Sequence, residues 1–418
     1  MDTTSPARPR LPIRARLATT VGGAAATVSR LAGRGDGSVI GGIIGLRLEP
    51  ELLSLLAAGR QVVLVTGTNG KTTTTRLITA ALGATGEQIA SNIYGANMEA
   101  GLTSALSRNP GARLAVLETD EKYIPAMIKA TRPKVVVLLN LSRDQMDRAA
   151  EIWMLARRWR DALAASPGTL VVANADDPLV AWAASGASEV TWVAAGQRWR
   201  EDSWCCPNCG AHLERKGDEW ACHECPNRRP PVRWTLRDGQ VVDPEGHVQP
   251  LGLALPGRAN ASNAVVALAV AEAFGVSVGA ALGGMRGVTS VAGRYTTVQR
   301  HGTEIRLLLA KNPAGWLEAL DVMEPEVPVL LAVNAQTPDG KDTSWLWDVD
   351  YRRLQGRPVL VGGERRLDLA VRLEADEVEF ELVGNIDQAV TLARSPRLEV
   401  LANYTAFQQY RAALGRAQ

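Results

Sequence analysis

No run of about 18 apolar residues occurs in this 418-residue chain, so no membrane-spanning helix is expected. Cysteine is scarce and confined: there are five, all between Cys205 and Cys225. Such clustering speaks for a metal rather than a disulfide framework, and for a reducing, cytoplasmic setting. It also leaves no isolated cysteine to serve with a histidine as a nucleophile elsewhere in the chain. Neither sign of charge is in large excess, and the net charge of +2 gives no reason to expect nucleic acid. A full Walker A loop is missing too, because Val65 stands where its first glycine would be.

What is present centres on Val62-Val-Leu-Val-Thr-Gly-Thr-Asn-Gly-Lys71-Thr-Thr-Thr-Thr-Arg-Leu-Ile78. Val62 to Val65 predict a buried strand of a parallel sheet, and Leu77, Ile78, Ala81 and Leu82 fall at helical spacing beyond the glycine loop. Strand, glycine loop, Lys-Thr and helix are the parts of a phosphate cradle. The helix N-terminus faces the anion, Lys71 reaches the β/γ-phosphates, and a hydroxyl of Thr72 or Thr73 is available for Mg²⁺. The plainer reading is a tight turn with a surface lysine.

Further strands are expected at Leu114–Glu121, Val135–Leu141 and Leu170–Pro178, separated by helical segments. Carboxylates at the C-terminal ends of parallel strands lie where such sheets bind ligands. Glu118, next to Asp120 and Glu121, is therefore a candidate Mg²⁺ ligand or simply a charged strand end. Asn260 and Asn263 open a helix, where capping accounts for one asparagine better than for two. After Gly293-Arg294 new strands, Ile305 to Ala310, Val327 to Val333 and Pro358 to Gly362, suggest a second α/β domain. The expected division is a basic, partly helical leader (1–45), a central domain (46–292) and a C-terminal domain (293–418). A basic face on the leader suits either the protein surface or anionic lipid.

Cys206-Pro-Asn-Cys209 and Cys222-His-Glu-Cys225 are two C-x-x-C knuckles, a strong signal for one tetrahedral Zn²⁺, inserted at about 203–228. Four thiolates leave no open coordination position, so the site reads as structural. Cys205 is the spare thiol and His223 the weaker alternative ligand. A redox dithiol and a nucleic-acid-binding ribbon are the other readings.

Gly67-Thr-Asn-Gly-Lys-Thr72, Glu118, Asn174-Ala-Asp-Asp-Pro178, Asn260 with Asn263, and Gly293-Arg294 together resemble the Mur ligases, ATP-dependent enzymes that form amide bonds in peptidoglycan synthesis. The resemblance is strongest to the MurT-type subunits of lipid II isoglutaminyl synthase. It is carried there by Asn140, Arg143-Asp-Gln-Met-Asp-Arg148, the cysteine ribbon, Ala310-Lys-Asn-Pro-Ala-Gly315 and Asp339-Gly-Lys-Asp-Thr-Ser-Trp345. The implied fold is α/β: a Mur-ligase-type central P-loop ATPase domain with an inserted zinc ribbon, then a smaller Rossmann-like domain.

By the same resemblance, Thr68, Asn69, Gly70, Lys71, Thr72, Thr73, Asn260, Asn263 and Arg294 would hold ATP, and Thr72 and Glu118 the Mg²⁺. Lys71, Glu118 and Asp342 would carry the chemistry. The implied activity is ATP-dependent amidation of D-glutamate in the lipid II stem peptide to D-isoglutamine, with ammonia from the glutaminase subunit GatD. Asp342 would complete that partner's triad; its plainer reading is a turn or cap carboxylate, with Asp339 and Asp348 as rivals. Amino-acid-adding Mur ligases carry a histidine where Gln145 stands, which puts a second metal site in doubt. No UDP-sugar domain is recognisable, which favours a lipid-linked substrate at the inner face of the membrane. An amino-acid-adding ligase of Mur or folylpolyglutamate type is the alternative, and a nucleotide-binding scaffold a third reading.

Overall fold

The computed structural model describes residues 9–32, 39–92, 96–144, 152–194, 196–289 and 295–415. The chain divides into two units, Met1–Leu141 with Glu151–Thr289, and Ser142–Ala150 with Ser290–Gln418.

In the first unit, helices α1 (Ile13–Leu31), α2 (Ile40–Leu48) and α3 (Leu52–Ala57) precede β1 (Gln61–Thr66). Helix and strand then alternate through α4 (Lys71–Leu82), β2 (Ile89–Ser91), α5 (Glu99–Arg108), β3 (Leu114–Glu118), α6 (Ile124–Thr131) and β4 (Val135–Leu138). The alternation continues with α7 (Ile152–Ala164), β5 (Leu170–Asn174), α8 (Pro178–Ala184) and β6 (Glu189–Ala194). A separate hairpin of β7 (Leu213–Lys216) and β8 (Glu219–Cys222) interrupts it. Strands β9 (Trp234–Arg237), β10 (Gln240–Val242) and β11 (Val248–Pro250) rejoin the sheet, followed by α9 (Arg258–Ala273) and α10 (Val278–Arg286).

The sheet runs β11-β10-β9-β6-β5-β4-β1-β3-β2, with β10 and β11 antiparallel at one edge. The rest is parallel and covered on both faces, which is why Val62 to Val65 are all fully buried rather than alternating. The chain leaves β1 toward β3 on one side and later pairs β4 on the other. That reversal opens a crevice at the C-terminal end of β1, flanked by the ends of β3 and β4.

The second unit contains β12 (Tyr295–Arg300), β13 (Thr303–Leu309), α11 (Pro313–Val322), β14 (Val329–Ala332) and β15 (Val359–Gly362). It ends in α12 (Arg366–Ala375), β16 (Glu381–Leu382), α13 (Ile386–Ala393), β17 (Arg397–Ala402) and α14 (Tyr404–Gly415). Its sheet, β12-β13-β17-β14-β15-β16, is parallel except for the β12–β13 hairpin. The two-residue period sends Leu331 and Leu401 into one core layer and Leu330 and Val400 into the other. Each aliphatic chain buried this way contributes about 1.5–3 kcal/mol. Among the described residues, no helix is long and apolar enough to cross a membrane.

Candidate active site

The loop after β1 needs its glycines. Gly67 has φ +142° and Gly70 φ +86°, values that a side chain strains against. A Cβ on Gly70 would also stand 2.8 Å from Asn263 Oδ1, so the loop passes hard against the first turns of α9. Gly70 is the N-cap of α4, and no side chain caps that helix end. Its first-turn N–H groups are thus suited to an anion.

Three neighbours fix the cradle. Asn140, just past β4, accepts from Asn69 N–H (2.8 Å) and donates its amide to Asn69 O (3.0 Å). Its own carbonyl accepts from Thr68 N–H (2.9 Å). Lys71, only 4% exposed, donates to Gly67 O at 2.6 Å and Thr68 O at 3.2 Å and pairs with Glu121 at 3.1 Å. Glu118, 3% exposed, accepts from Thr72 Oγ1 at 2.8 Å and from Asn97 Nδ2 at 3.5 Å. Asn92 holds the Glu118 backbone from both sides, accepting its N–H and donating to its carbonyl. A hydroxyl and a carboxylate from separate elements meet at the cradle's edge, a donor set that fits Mg²⁺. The pair involves Thr72, not Thr73.

Asn260 donates to Pro256 O at 2.6 Å, while the N-cap of α9 is Gly257 and takes no side-chain bond. Neither asparagine is therefore a cap. Arg294, and the Gln145 and Asp147 part of the polar stretch, lie outside the described residues. The Asn174–Pro178 stretch is spent on the scaffold. Asp177 caps α8 through Leu179 and Val180 N–H, and Asp176 pairs with Arg229 at 2.7 Å. Burial pushes the Asp177 carboxyl up, against hydrogen bonds from Leu141, Val180, Gln197 and Leu179.

In the ribbon, the sulfurs of Cys206, Cys209, Cys222 and Cys225 lie within 4.8 Å of one another. Cys206 and Cys225 are 3.6 Å apart and Cys209 and Cys222 3.5 Å, close to the edges of a thiolate tetrahedron built on bonds of about 2.3 Å. Asn227 Nδ2 donates to Cys206 Sγ at 3.3 Å. Cys205 is not in the group, and neither is His223, which faces Glu214 at 2.9 Å. Trp153 and Trp220 dock the ribbon by donating their indole N–H to Pro207 O and Ala175 O.

In the second unit, Asp342 is half-buried and accepts from Ser344 N–H at 2.8 Å. Its rivals are committed. Asp339 is buried and accepts from Thr405 N–H at 2.9 Å and Gln336 N–H at 3.2 Å. Asp348 pairs with Arg143 at 3.3 Å, and Asp144 beside it pairs with Lys311.

Strand, glycine loop, helix N-terminus, lysine and hydroxyl–carboxylate pair define a P-loop phosphate-binding domain. Residues 65–271 match the Mur ligase middle domain, and residues 309–407 match the MurT ligase C-terminal domain. The chain is 31% identical to the lipid II isoglutaminyl synthase (glutamine-hydrolyzing) subunit MurT of Staphylococcus aureus, across 86% of this chain and 87% of that one. It is 30% identical to the subunit of the same description from Streptococcus pneumoniae, across 94% and 97%. The chain belongs to the Mur ligase family, in its MurT branch. It is thus an enzyme, a ligase of an ATP-using family. Among solved structures, a pseudomurein peptide ligase type C from Methanothermus fervidus shares the fold, with TM-score 0.69 at 17% identity over 86% of this chain and 79% of that one. MurF from Acinetobacter baumannii does so with TM-score 0.63 at 16% identity over 91% and 80%.

The sequence alone points to Lys71, Thr72 and Glu118 but not to Asn140, Asn92 or Glu121 as parts of the site. Asn140 is findable, since it stands at the end of a parallel strand as Glu118 does. Asn92 carries no local signal.

Proposed function

We propose that the chain is the synthetase subunit of a lipid II isoglutaminyl synthase. It would use ATP to phosphorylate the α-carboxyl of D-glutamate in the lipid II stem peptide, and ammonia would then displace the phosphate to leave D-isoglutamine. The observation that carries the catalytic part is the Thr72–Glu118 contact beside Lys71, in a chain of the MurT branch.

A carboxylate is a poor electrophile, because its leaving group would be oxide. Transfer of the γ-phosphoryl group to a carboxylate oxygen gives it phosphate as a leaving group. The nitrogen lone pair then attacks the carbonyl carbon, the C–O bond to phosphate breaks, and the nitrogen sheds a proton. Thr68, Asn69, Gly70 and the first turn of α4, with Thr73, cradle the phosphates of ATP. Lys71 exchanges the Glu121 carboxylate for phosphate oxygens and offsets their charge. Asn263 stands beside Gly70 as a nucleotide contact, and Asn260 and Arg294 complete the proposed set. Thr72 and Glu118 hold Mg²⁺, which when bound neutralises charge on the transferring phosphoryl group. The four ribbon cysteines hold a structural Zn²⁺.

Ammonia comes from a partner glutaminase, GatD. Asp342 orients that partner's imidazole, a role supported by its single local hydrogen bond where Asp339 and Asp348 are engaged. The test is mass spectrometry of lipid II incubated with the chain, its partner, ATP and either glutamine or ammonium. Conversion of one carboxylate to a carboxamide, dependent on ATP, is expected. Addition of an amino acid would favour the amino-acid-adding alternative instead.

A further inference from the structure

Helix α1 is built with its bulky side inverted. Its buried face consists of Ala15, Ala18, Gly22 and Ala26. A Cβ on Gly22 would lie 2.4 Å from Gly41 O, so α1 and α2 meet backbone to backbone. The large aliphatic residues point the other way. Ile13 is 78% exposed, Leu17 59%, Val28 64% and Leu31 84%, with Val21 at 39%. These positions recur in steps of three, four or their sum, and at about 100° per residue they occupy one narrow arc of the helix. A helix made for water would present that arc as polar.

The surroundings say what suits this stripe. Arg16 and Arg30, both exposed, border it on one side. Arg14, exposed on the other, donates to Leu48 O at 2.6 Å and lies 3.6 Å from Glu49, the C-cap residue of α2, while neither helix itself contains an acidic residue. No aromatic residue occurs in the stripe, whereas protein interfaces draw on Trp and Tyr for their anchors. Aliphatic side chains between arginines match the boundary of an anionic bilayer, with acyl chains below and phosphates at the sides. We infer that α1 is an in-plane docking helix for an anionic lipid surface, seating Ile13, Leu17, Val21, Val28 and Leu31 among the acyl chains. This stands apart from the proposed amidation, because the surface can bind lipid that is no substrate.

The test is co-sedimentation of the full-length chain with phosphatidylcholine vesicles, with and without phosphatidylglycerol. Wild type should pellet with the anionic vesicles and far less with neutral ones. Leu17→Ser/Val21→Ser/Val28→Ser together should lower partition at least tenfold, while melting temperature and ATP hydrolysis stay as in wild type. Arg16→Gln and Arg30→Gln should each lower partition about fivefold, on anionic vesicles only. Wild type remaining in the supernatant with phosphatidylglycerol, or equal pelleting of wild type and the triple variant, would overturn the inference. So would a wild-type oligomer that the triple variant turns into a monomer with vesicle binding unchanged, which would make the stripe a protein contact.

Discussion

Glu118 and Asp342 are both carboxylates proposed to serve one reaction, and their surroundings differ in kind. Glu118 is 3% exposed, with partners from β2's end, α4 and the Asn97 segment, so its geometry is complete within the first unit. Asp342 lies two residues ahead of a short 3-10 turn, Ser344–Asp348, in the second unit and accepts from one backbone N–H, that of Ser344. A carboxylate fixed on all sides can meet a metal without further ordering. One with a free side is suited to finding its partner on another protein. In the proposed reaction, that pattern of satisfied bonds would separate a site that the chain finishes from one that it half supplies.

The largest test of that contrast is Asp342→Asn. An amide cannot support the partner's imidazolium, and glutamine-driven amidation should fall about 10⁴-fold. Ammonium chloride at raised pH should restore product, because free ammonia bypasses the glutaminase. Equal loss with both nitrogen sources would place Asp342 in the synthetase site and erase the distinction.

Lys71→Ala probes the finished site. Loss of its charge at the phosphates should lower turnover about 10²–10³-fold with glutamine and ammonium alike. Rescue by ammonium in this variant would break the assignment of the two half-reactions.

Cys209→Ser asks whether the ribbon belongs to either half. Removing one thiolate should abolish binding of the proposed zinc, measured by metal analysis of wild type and variant. The melting temperature should fall by about 5–10 °C, as expected for a loss of roughly 2–3 kcal/mol. A zinc-free variant with unchanged melting would sink the structural reading, and activity retained in a stable variant would exclude a catalytic metal there.

The smallest effect is expected from Asn140→Ala. It removes two hydrogen bonds to Asn69, each contributing about 0.5–1.5 kcal/mol, and should weaken ATP binding roughly tenfold while leaving Asp342-dependent glutamine hydrolysis alone. Calorimetric titration with a non-hydrolysable ATP analogue measures this. Unchanged affinity would mean that the loop holds its shape without Asn140.

Local features are legible in the sequence itself. Val62 to Val65, Gly67, Gly70 and Lys71 specify strand, turn and helix start through burial, backbone freedom and charge over a few residues. The two C-x-x-C knuckles likewise announce a four-sulfur cluster, because each knuckle sets its own sulfur spacing. What depends on distant segments is not legible there. Asn140 clasping Asn69, Asn92 holding Glu118 and Glu121 on Lys71 join residues 26 to 71 positions apart, and only the strand order β4-β1-β3-β2 brings them together. The engagement of Asp339, but not Asp342, by Thr405 is likewise set by tertiary structure. Identical side chains a few positions apart differ in nothing but which way the backbone turns them and what they meet there.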